Sequence, residues 1–322
     1  MNTIDFDKYR QIGDPQCDEV VSQLFVYGGM AYLRQLIGYL SNYQDFTFAG
    51  HPQILQDFIE QHRQLPENLN KKNVVRACQF YRVHEQAIGM VLGCYSLPYC
   101  YLGADGSQVL YLSERIRKDT YKRLKETGQF LKSVMNYDSW QDGKIALICL
   151  KVRLMHSVIR LFTMHSGQWN MAWGYPICQE DMAGTNGTFS FIMIKGLRKM
   201  GYAVDESDER AYIETWNYIG EMMGVCKELQ PQSWKDAVLL DKVIAQRQFK
   251  ECRESQILAN SLINTFQSMT QNKFESDLVI AQFRYFLGDQ HADMLGISKN
   301  RIPKQFVKVL NNSNAFLSNF FN

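Results

Sequence analysis

The sequence contains eight cysteines, but no two form a CxxC pair and no spacing matches a zinc site. Several lie within apolar runs, as reduced core cysteines do, so we expect a reducing compartment and no thiolate-bound structural metal. Dense blocks of lysine and arginine are also missing, and the formal net charge is only +2. We therefore expect no nucleic-acid partner, and we interpret the basic run at 115–118 as a solvated helix face.

Targeting and membrane-spanning segments are lacking as well. The N-terminus has no basic stretch followed by an apolar core, so no secretory signal is predicted. The longest uncharged stretch, 86–104, is interrupted by Gly89, Gly93 and Pro98. Because a membrane span needs about 20 mostly apolar residues, we predict a buried helix followed by a loop. We expect a cytoplasmic protein without membrane contact.

The common catalytic signatures are absent too. No HExxH, GxSxG, GxxxxGK[ST] or strand-linked GxGxxG motif occurs. Gly184 and Gly187 lead into a predicted helix without a preceding strand, which makes a poor phosphate site. Histidines at 51, 62, 84 and 291 have no metal-ligand spacing to one another. These absences argue against zinc hydrolases, serine hydrolases and nucleotide-binding enzymes.

Alternating strand patterns are scarce, and the best strand candidate, 109–112, is short. Apolar residues recur instead at steps of three and four, which predicts helices. These predicted helices span 20–40, 54–62, 74–92, 120–135, 145–165, 189–200, 211–223 and 277–295. No repeat or linker marks a boundary, so we predict a single all-α domain over 1–322. It would consist of flanking helices at about 1–87, a core at about 88–229 and C-terminal helices at about 230–322.

The predicted helix at 145–165 is apolar nearly all round, which is typical of a buried helix. Arg153, His156 and Arg160 nevertheless fall at i, i+3 and i+7, so they share one side of it. Two arginines buried beside a histidine are costly unless they meet negative charge. Protein carboxylates can supply that charge, and so can haem, which offers two propionates and an iron for the imidazole. The spacing alone favours an ion-pair network with a satisfied core histidine.

Residues 150–160, LKVRLMHSVIR, resemble the central motif of the latex-clearing protein (rubber oxygenase) and MpaB-type oxygenase family. Further similar pieces occur in the family's order, at 123–130, 169–185, 214–225 and 284–297. The resemblance implies a globin-like helical core, flanked by additional helices, around haem b. It also implies that His156 is the axial iron ligand and that Arg153 and Arg160 hold the cofactor pocket or the propionates.

The resemblance further implies a distal helix that carries Arg123, Glu126 and Thr127 as catalytic residues. Rubber-cleaving members have Arg-x-x-Lys-Thr at this place, so glutamate here reverses the charge of the family's lysine. Glu126 can serve as a base, pair with Arg123 or face solvent. The substitution and the missing secretion signal argue against cleavage of an extracellular polymer.

Three hypotheses remain open from the sequence. The first is a haem-dependent oxygenase that acts with dioxygen on a small apolar or isoprenoid-like substrate. The second is a haem carrier or sensor without catalysis. The third is a haem-free helical scaffold in which Arg153 and Arg160 pair with acids such as Asp181 or Glu214.

Overall fold

The computed structural model describes residues 4–41, 48–113 and 119–312, and in these ranges it contains helices but no β-strand. The predicted all-α fold class is confirmed. The basic run at 115–118 lies outside the described residues.

The α-helices of the first half are α1 (Phe6–Arg10), α2 (Pro15–Leu40), α3 (Gln53–His62), α4 (Lys71–Val91), α5 (Leu97–Tyr101), α6 (Ala104–Leu112), α7 (Thr120–Val134), α8 (Tyr137–Gln141) and α9 (Lys144–His165). Those of the second half are α10 (Gln179–Phe189), α11 (Phe191–Lys199), α12 (Glu206–Met222), α13 (Trp234–Gln248), α14 (Arg253–Gln267), α15 (Lys273–Leu287), α16 (Asp289–Met294) and α17 (Lys304–Asn312). A π-helical turn, Leu92–Ser96, joins α4 to α5.

Most of the predicted helices are present with shifted ends, but some predictions are wrong. The strand candidate at 109–112 forms the end of α6, which packs on α14, because a short buried apolar run suits either structure. The segment 277–295 is two helices, separated at Gly288, whose φ is +80°. Gly184 and Gly187 do precede a helix, α11, but they lie inside α10 and not in a loop. The glycines and threonines of α10 have low helix propensity, so its pattern was not recognised.

Helix α9 connects two apolar clusters of the fold. Its first turns, with Ile145 and Cys149, belong to the largest buried cluster, which α4, α12 and α15 also build. Leu154 and Val158, further along, pack with buried residues of α2 and α3. A helix that is covered in this way is apolar around most of its circumference, as its sequence indicates.

Helix α2 packs lengthwise against α9. It begins at Pro15, and Asp14 caps it by accepting a hydrogen bond from the backbone N–H of Cys17. Proline in the first turn and aspartate at the cap are favourable, because the first N–H groups have no helical partner. Within the described ranges, no helix is both long and apolar enough to cross a membrane.

Candidate active site

The polar residues of α9 are divided between two neighbouring faces of the helix. With 3.6 residues per turn, His156 is rotated by about 60° from Arg153 and about 40° from Arg160. The two arginines are buried, at 7% and 1% exposure, and they lie against the N-terminal segment. His156 lines an internal cavity, and neither arginine does. The structure therefore separates the histidine from the arginines that accompany it in the motif.

Arg153 forms a two-pronged ion pair with Asp14, the cap of α2. Its Nε donates to Oδ2, and its Nη2 donates to Oδ1 at 2.9 Å. Burial by itself would lower the pKa of Arg153, but the Asp14 carboxylate outweighs it and raises that pKa. Buried ions are tolerated when each charge has a counter-charge and its hydrogen-bonding groups have partners, and the pair of Arg153 with Asp14 provides both.

Arg160 is paired with Asp18, one turn further along α2. Its Nε donates to Asp18 Oδ1 at 2.8 Å, and the Ser157 hydroxyl donates to the same oxygen at 2.6 Å. Arg160 Nη1 also donates to the carbonyl of Ile177 at 3.2 Å. Two carboxylates of the N-terminal segment thus hold three polar side chains of α9.

Ile177 connects this ion-pair network to the cavity, which it also lines. Its φ is +48°, and it is the one non-glycine residue with positive φ in the described ranges. A β-branched side chain is strained in this conformation, so surrounding contacts must hold it. The hydrogen bond from Arg160 is such a contact.

The prediction that Arg153 and Arg160 pair with acids such as Asp181 or Glu214 is wrong. Asp181 pairs with Arg10 instead. Glu214 accepts hydrogen bonds from Tyr218 and Asn73. Of the two sources of negative charge that the sequence left open, protein carboxylates and haem propionates, the structure shows carboxylates at both arginines, those of Asp14 and Asp18.

His156 is half-buried, since part of its ring faces the cavity. Burial, together with the positive charges of Arg160 and Arg123, lowers the pKa of His156 from 6.5 to about 3. The imidazole is therefore neutral near pH 7, which is the form that binds metals. Its Nδ1 atom is buried and has no hydrogen-bond partner in the described part of the chain. Nε2 is not sealed in this way, so it is the ring nitrogen that a ligand in the cavity can reach.

The cavity has a volume of about 330 Å³, within the range of small-molecule sites. The wall next to His156 is apolar, formed by Val152, Met155 and Ile159 of the same helix. The facing helix α7 contributes polar side chains, and α7 packs directly against α9. The site is an apolar chamber with a few polar groups, an arrangement suited to an apolar ligand.

The three predicted distal residues of α7 all line this cavity together with His156. Arg123 and Glu126 form an ion pair at 3.1 Å, which is one of the three roles that the sequence left open for Glu126, and Glu126 also borders the cavity. The Thr127 hydroxyl donates its proton to the Arg123 carbonyl at 2.9 Å. A hydroxyl has one proton, so Thr127 can offer only lone pairs to a ligand. The sequence thus identified four residues of one cavity, on two helices.

Several polar residues of the cavity were missed by the sequence. Glu180 is fully buried and is held by Arg247 and Gln248. Tyr99 donates a hydrogen bond to Asp241 at 2.9 Å. The sequence gives little indication that these residues line a site, because single acids and tyrosines are common in ordinary helical patterns.

No group of three or more histidine, cysteine or acidic side chains that could hold a metal ion occurs among the described residues. All eight cysteines are free, and none forms a disulfide. A bare metal ion needs several protein ligands, whereas an iron inside a prosthetic group needs only one or two axial ligands. A single histidine such as His156 suits only the second arrangement.

Comparison with known proteins places this architecture in a defined group. A family model described as ER-bound oxygenase mpaB/B'/Rubber oxygenase, catalytic domain, matches residues 81–310. A rubber oxygenase of Streptomyces sp. (strain K30) is 22% identical over 300 residues, which cover 92% of this chain and 73% of the relative. A solved structure of latex clearing protein LCP in the closed state superimposes with a TM-score of 0.79 at 20% identity, covering 98% of this chain and 85% of that one.

The family match includes α7, α9 and α10, which build the wall of the cavity. The structural likeness covers nearly the whole chain and shows that the fold is shared. Since the family model matches well over half of the sequence, this chain belongs to the mpaB and rubber oxygenase catalytic-domain family.

Proposed function

We propose that this protein is a haem b-dependent oxygenase that acts with dioxygen on an apolar or isoprenoid-like small molecule. The family supports an oxygenase. Two relatives are named for rubber and latex, materials whose polymer consists of isoprene units. An apolar chamber fits a substrate of that kind better than a charged one.

The observation that carries the proposal is the state of His156. It is neutral, it lies in the cavity wall, and its Nε2 is neither sealed nor hydrogen-bonded within the described ranges. Those properties fit an axial iron ligand, for which a neutral imidazole is required. Haem, when bound, supplies the iron chemistry of dioxygen, and the protein supplies the binding, the orientation and the local charge.

Arg153 and Arg160 support His156 from behind. Both guanidinium groups are directed to carboxylates of the N-terminal segment, so we assign them to positioning and not to contact with propionates. They fix the rotation of α9, and with it the direction of the imidazole. Arg160 also has an electrostatic role, because burial and the positive charge of Arg160 together keep His156 neutral.

On the facing helix, Arg123 and Glu126 give the cavity a paired positive and negative group. The carboxylate oxygens of Glu126 can hold a proton, and Arg123 can stabilise negative charge that develops nearby. Thr127 presents a hydrogen-bond acceptor. We propose that these three side chains orient the bound reactants and move protons.

A second candidate function follows from the same ion pairs. Both arginines already have counter-charges, so the protein charges are compensated without a cofactor. This favours a haem-free helical scaffold, which would be colourless and would keep the same stability when haem is added. A haem carrier or sensor is intermediate, because it would bind haem and oxidise nothing.

Oxygen consumption by the haem-loaded protein tests the proposed activity. We expect uptake after addition of farnesol or squalene that needs both haem and the isoprenoid, and that disappears in His156→Leu. Haem binding without uptake for either isoprenoid would contradict the oxygenase and support the carrier. A protein that takes up no haem would leave only the scaffold.

A further inference from the structure

A second polar site lies in the cavity wall away from α9. It consists of Tyr99 on α5 and Asp241 on α13, and both side chains line the same cavity as His156. The Tyr99 hydroxyl donates to Asp241 Oδ1 at 2.9 Å. Burial raises the pKa of Asp241, while the Tyr99 hydrogen bond and the charge of Lys195 act in the opposite direction.

This site stands on a different wall from the proposed iron ligand. Helix α13 packs against α10 and α11, whereas α9 packs against α2 and α7. The neighbours of Asp241 on the cavity side of α13 are Leu240 and Ile244, which are apolar. A carboxylate here gives the cavity a polar group on a different helix from the polar groups around His156.

The second oxygen of Asp241 has no hydrogen bond with the residues that the structure describes. Only Oδ1 accepts a hydrogen bond, and Oδ2 has no donor in the part of the chain that the structure describes. Oδ2 is not fully buried, so neighbouring atoms do not seal it. A carboxylate oxygen that is enclosed by apolar walls but still reachable favours a ligand that donates a hydrogen bond.

We propose that Asp241 Oδ2 binds a hydroxyl group at the end of an apolar, isoprenoid-like substrate, and that Tyr99 fixes the carboxylate for it. This inference rests on the proposed function, because it takes the cavity to be the substrate site. It narrows the substrate class from hydrocarbons in general to alcohols.

The charge at this place favours an alcohol over the alternatives. A substrate acid would bring a second negative group beside Asp241, and like charges repel. A plain hydrocarbon would cover the carboxylate without giving it a donor. Lys195 already supplies a positive charge near Asp241, so a neutral donor completes the site without leaving excess charge.

The experiment is a calorimetric titration of the purified protein with farnesol, with the hydrocarbon farnesene and with farnesoic acid. We expect farnesol to bind roughly tenfold more tightly than farnesene, since hydrogen bonds to charged groups have about that effect. We expect farnesoic acid to bind more weakly than farnesol. Equal affinity for alcohol and hydrocarbon, or no binding of farnesol, would overturn the inference.

Variants of α13 test whether Asp241 causes the preference for farnesol. Asp241→Leu removes the acceptor and should abolish the preference for farnesol, while Asp241→Asn keeps a neutral acceptor and should restore part of it. Lys242→Leu is the matched control, because Lys242 is the next residue on the same helix, is exposed and does not line the cavity. A preference that persists in Asp241→Leu would contradict the assignment.

Calorimetry reports ligand binding whether or not haem is present, so the two proposals can fail separately. A protein that prefers farnesol but takes up no haem would refute the proposed oxygenase and leave the role of Asp241 intact. A haem protein without that preference would refute the role of Asp241 alone.

Discussion

The two sides of α9 both carry polar side chains, but these side chains have different surroundings. Toward α2, Asp14 and Asp18 compensate the charges of Arg153 and Arg160, and Ser157 donates to Asp18, although Arg160 Nη2 is buried without a partner among the described residues. Toward the cavity, His156 stands among apolar neighbours of α9, and its Nε2 is neither sealed nor hydrogen-bonded by the residues that the structure describes. A buried charge in a core is compensated by the protein itself, whereas a ring nitrogen that is open to a cavity can contact a ligand. The ion-pair side therefore supports the fold, and the cavity side is where we place the chemistry.

Removal of one partner on the ion-pair side gives the largest expected effect. Asp14→Ala leaves the buried guanidinium of Arg153 without its counter-charge, which costs about 3–5 kcal/mol, and it also removes the cap of α2, worth about 1 kcal/mol. The free energy of unfolding in urea measures the loss. Asp205→Ala is the matched control, because Asp205 caps α12 but pairs with the exposed Arg76. A loss in Asp14→Ala no larger than in the control would mean that the pair does not stabilise the fold.

Removal of both partners together should be much less harmful than removal of one. In the double variant Asp14→Leu with Arg153→Met, no uncompensated charge remains in the core, so we expect it to recover about half or more of the loss of Asp14→Leu alone. A double-mutant cycle by urea unfolding gives the coupling energy. Additive losses would contradict a direct interaction between the two side chains.

Gly224 tests how closely the ion-pair side is packed. Its φ is +85°, and a Cβ there would collide with Asp14 and come within 2.9 Å of Arg153 Nε. We expect Gly224→Ala to lower the free energy of unfolding by about 2–4 kcal/mol, from backbone strain and displacement of the pair. Gly143→Ala is the control, because Gly143 is left-handed at φ +74° and ψ +2° with no described atom within 4 Å of an added Cβ, so it should cost about 1 kcal/mol. Equal losses would show that the pair tolerates displacement.

A change on the cavity side should affect stability least. His156→Leu replaces a half-buried ring whose Nδ1 is unpaired, so we expect the free energy of unfolding without haem to change by less than about 1.5 kcal/mol. Urea unfolding of the haem-free protein measures it. A loss as large as that of Asp14→Ala would make His156 a structural residue and would remove the contrast between the two sides.

Much of this comparison could be predicted from the sequence. Helical periodicity located α9 and α7, and the family motif pointed to His156, Arg123, Glu126 and Thr127, which line one cavity. The haem role of these residues stays a prediction. Spacing within one helix shows which residues share a side, but not which distant helix covers that side.

The acidic partners of the two arginines were missed because spacing within one helix does not show what covers it. Asp14 lies 139 residues before Arg153, and Asp18 lies 142 residues before Arg160, so no local pattern connects them. Spacing also grouped His156 with the arginines, although a rotation of about 60° is enough to turn a side chain onto another surface. Asp241 was missed because its helix was not recognised and its partner, Tyr99, is on α5.

The most direct test of the central claim is a titration of the purified protein with haemin, followed by absorption spectroscopy. We predict a saturable Soret band in the wild type and in His165→Ala, where the changed histidine is exposed at the end of α9 and its ring contacts the backbone of Leu161. We predict that His156→Leu, folded and as stable as the wild type, loses that band. An unchanged band in His156→Leu, or no band in the wild type, would contradict the assignment of His156 as the iron ligand.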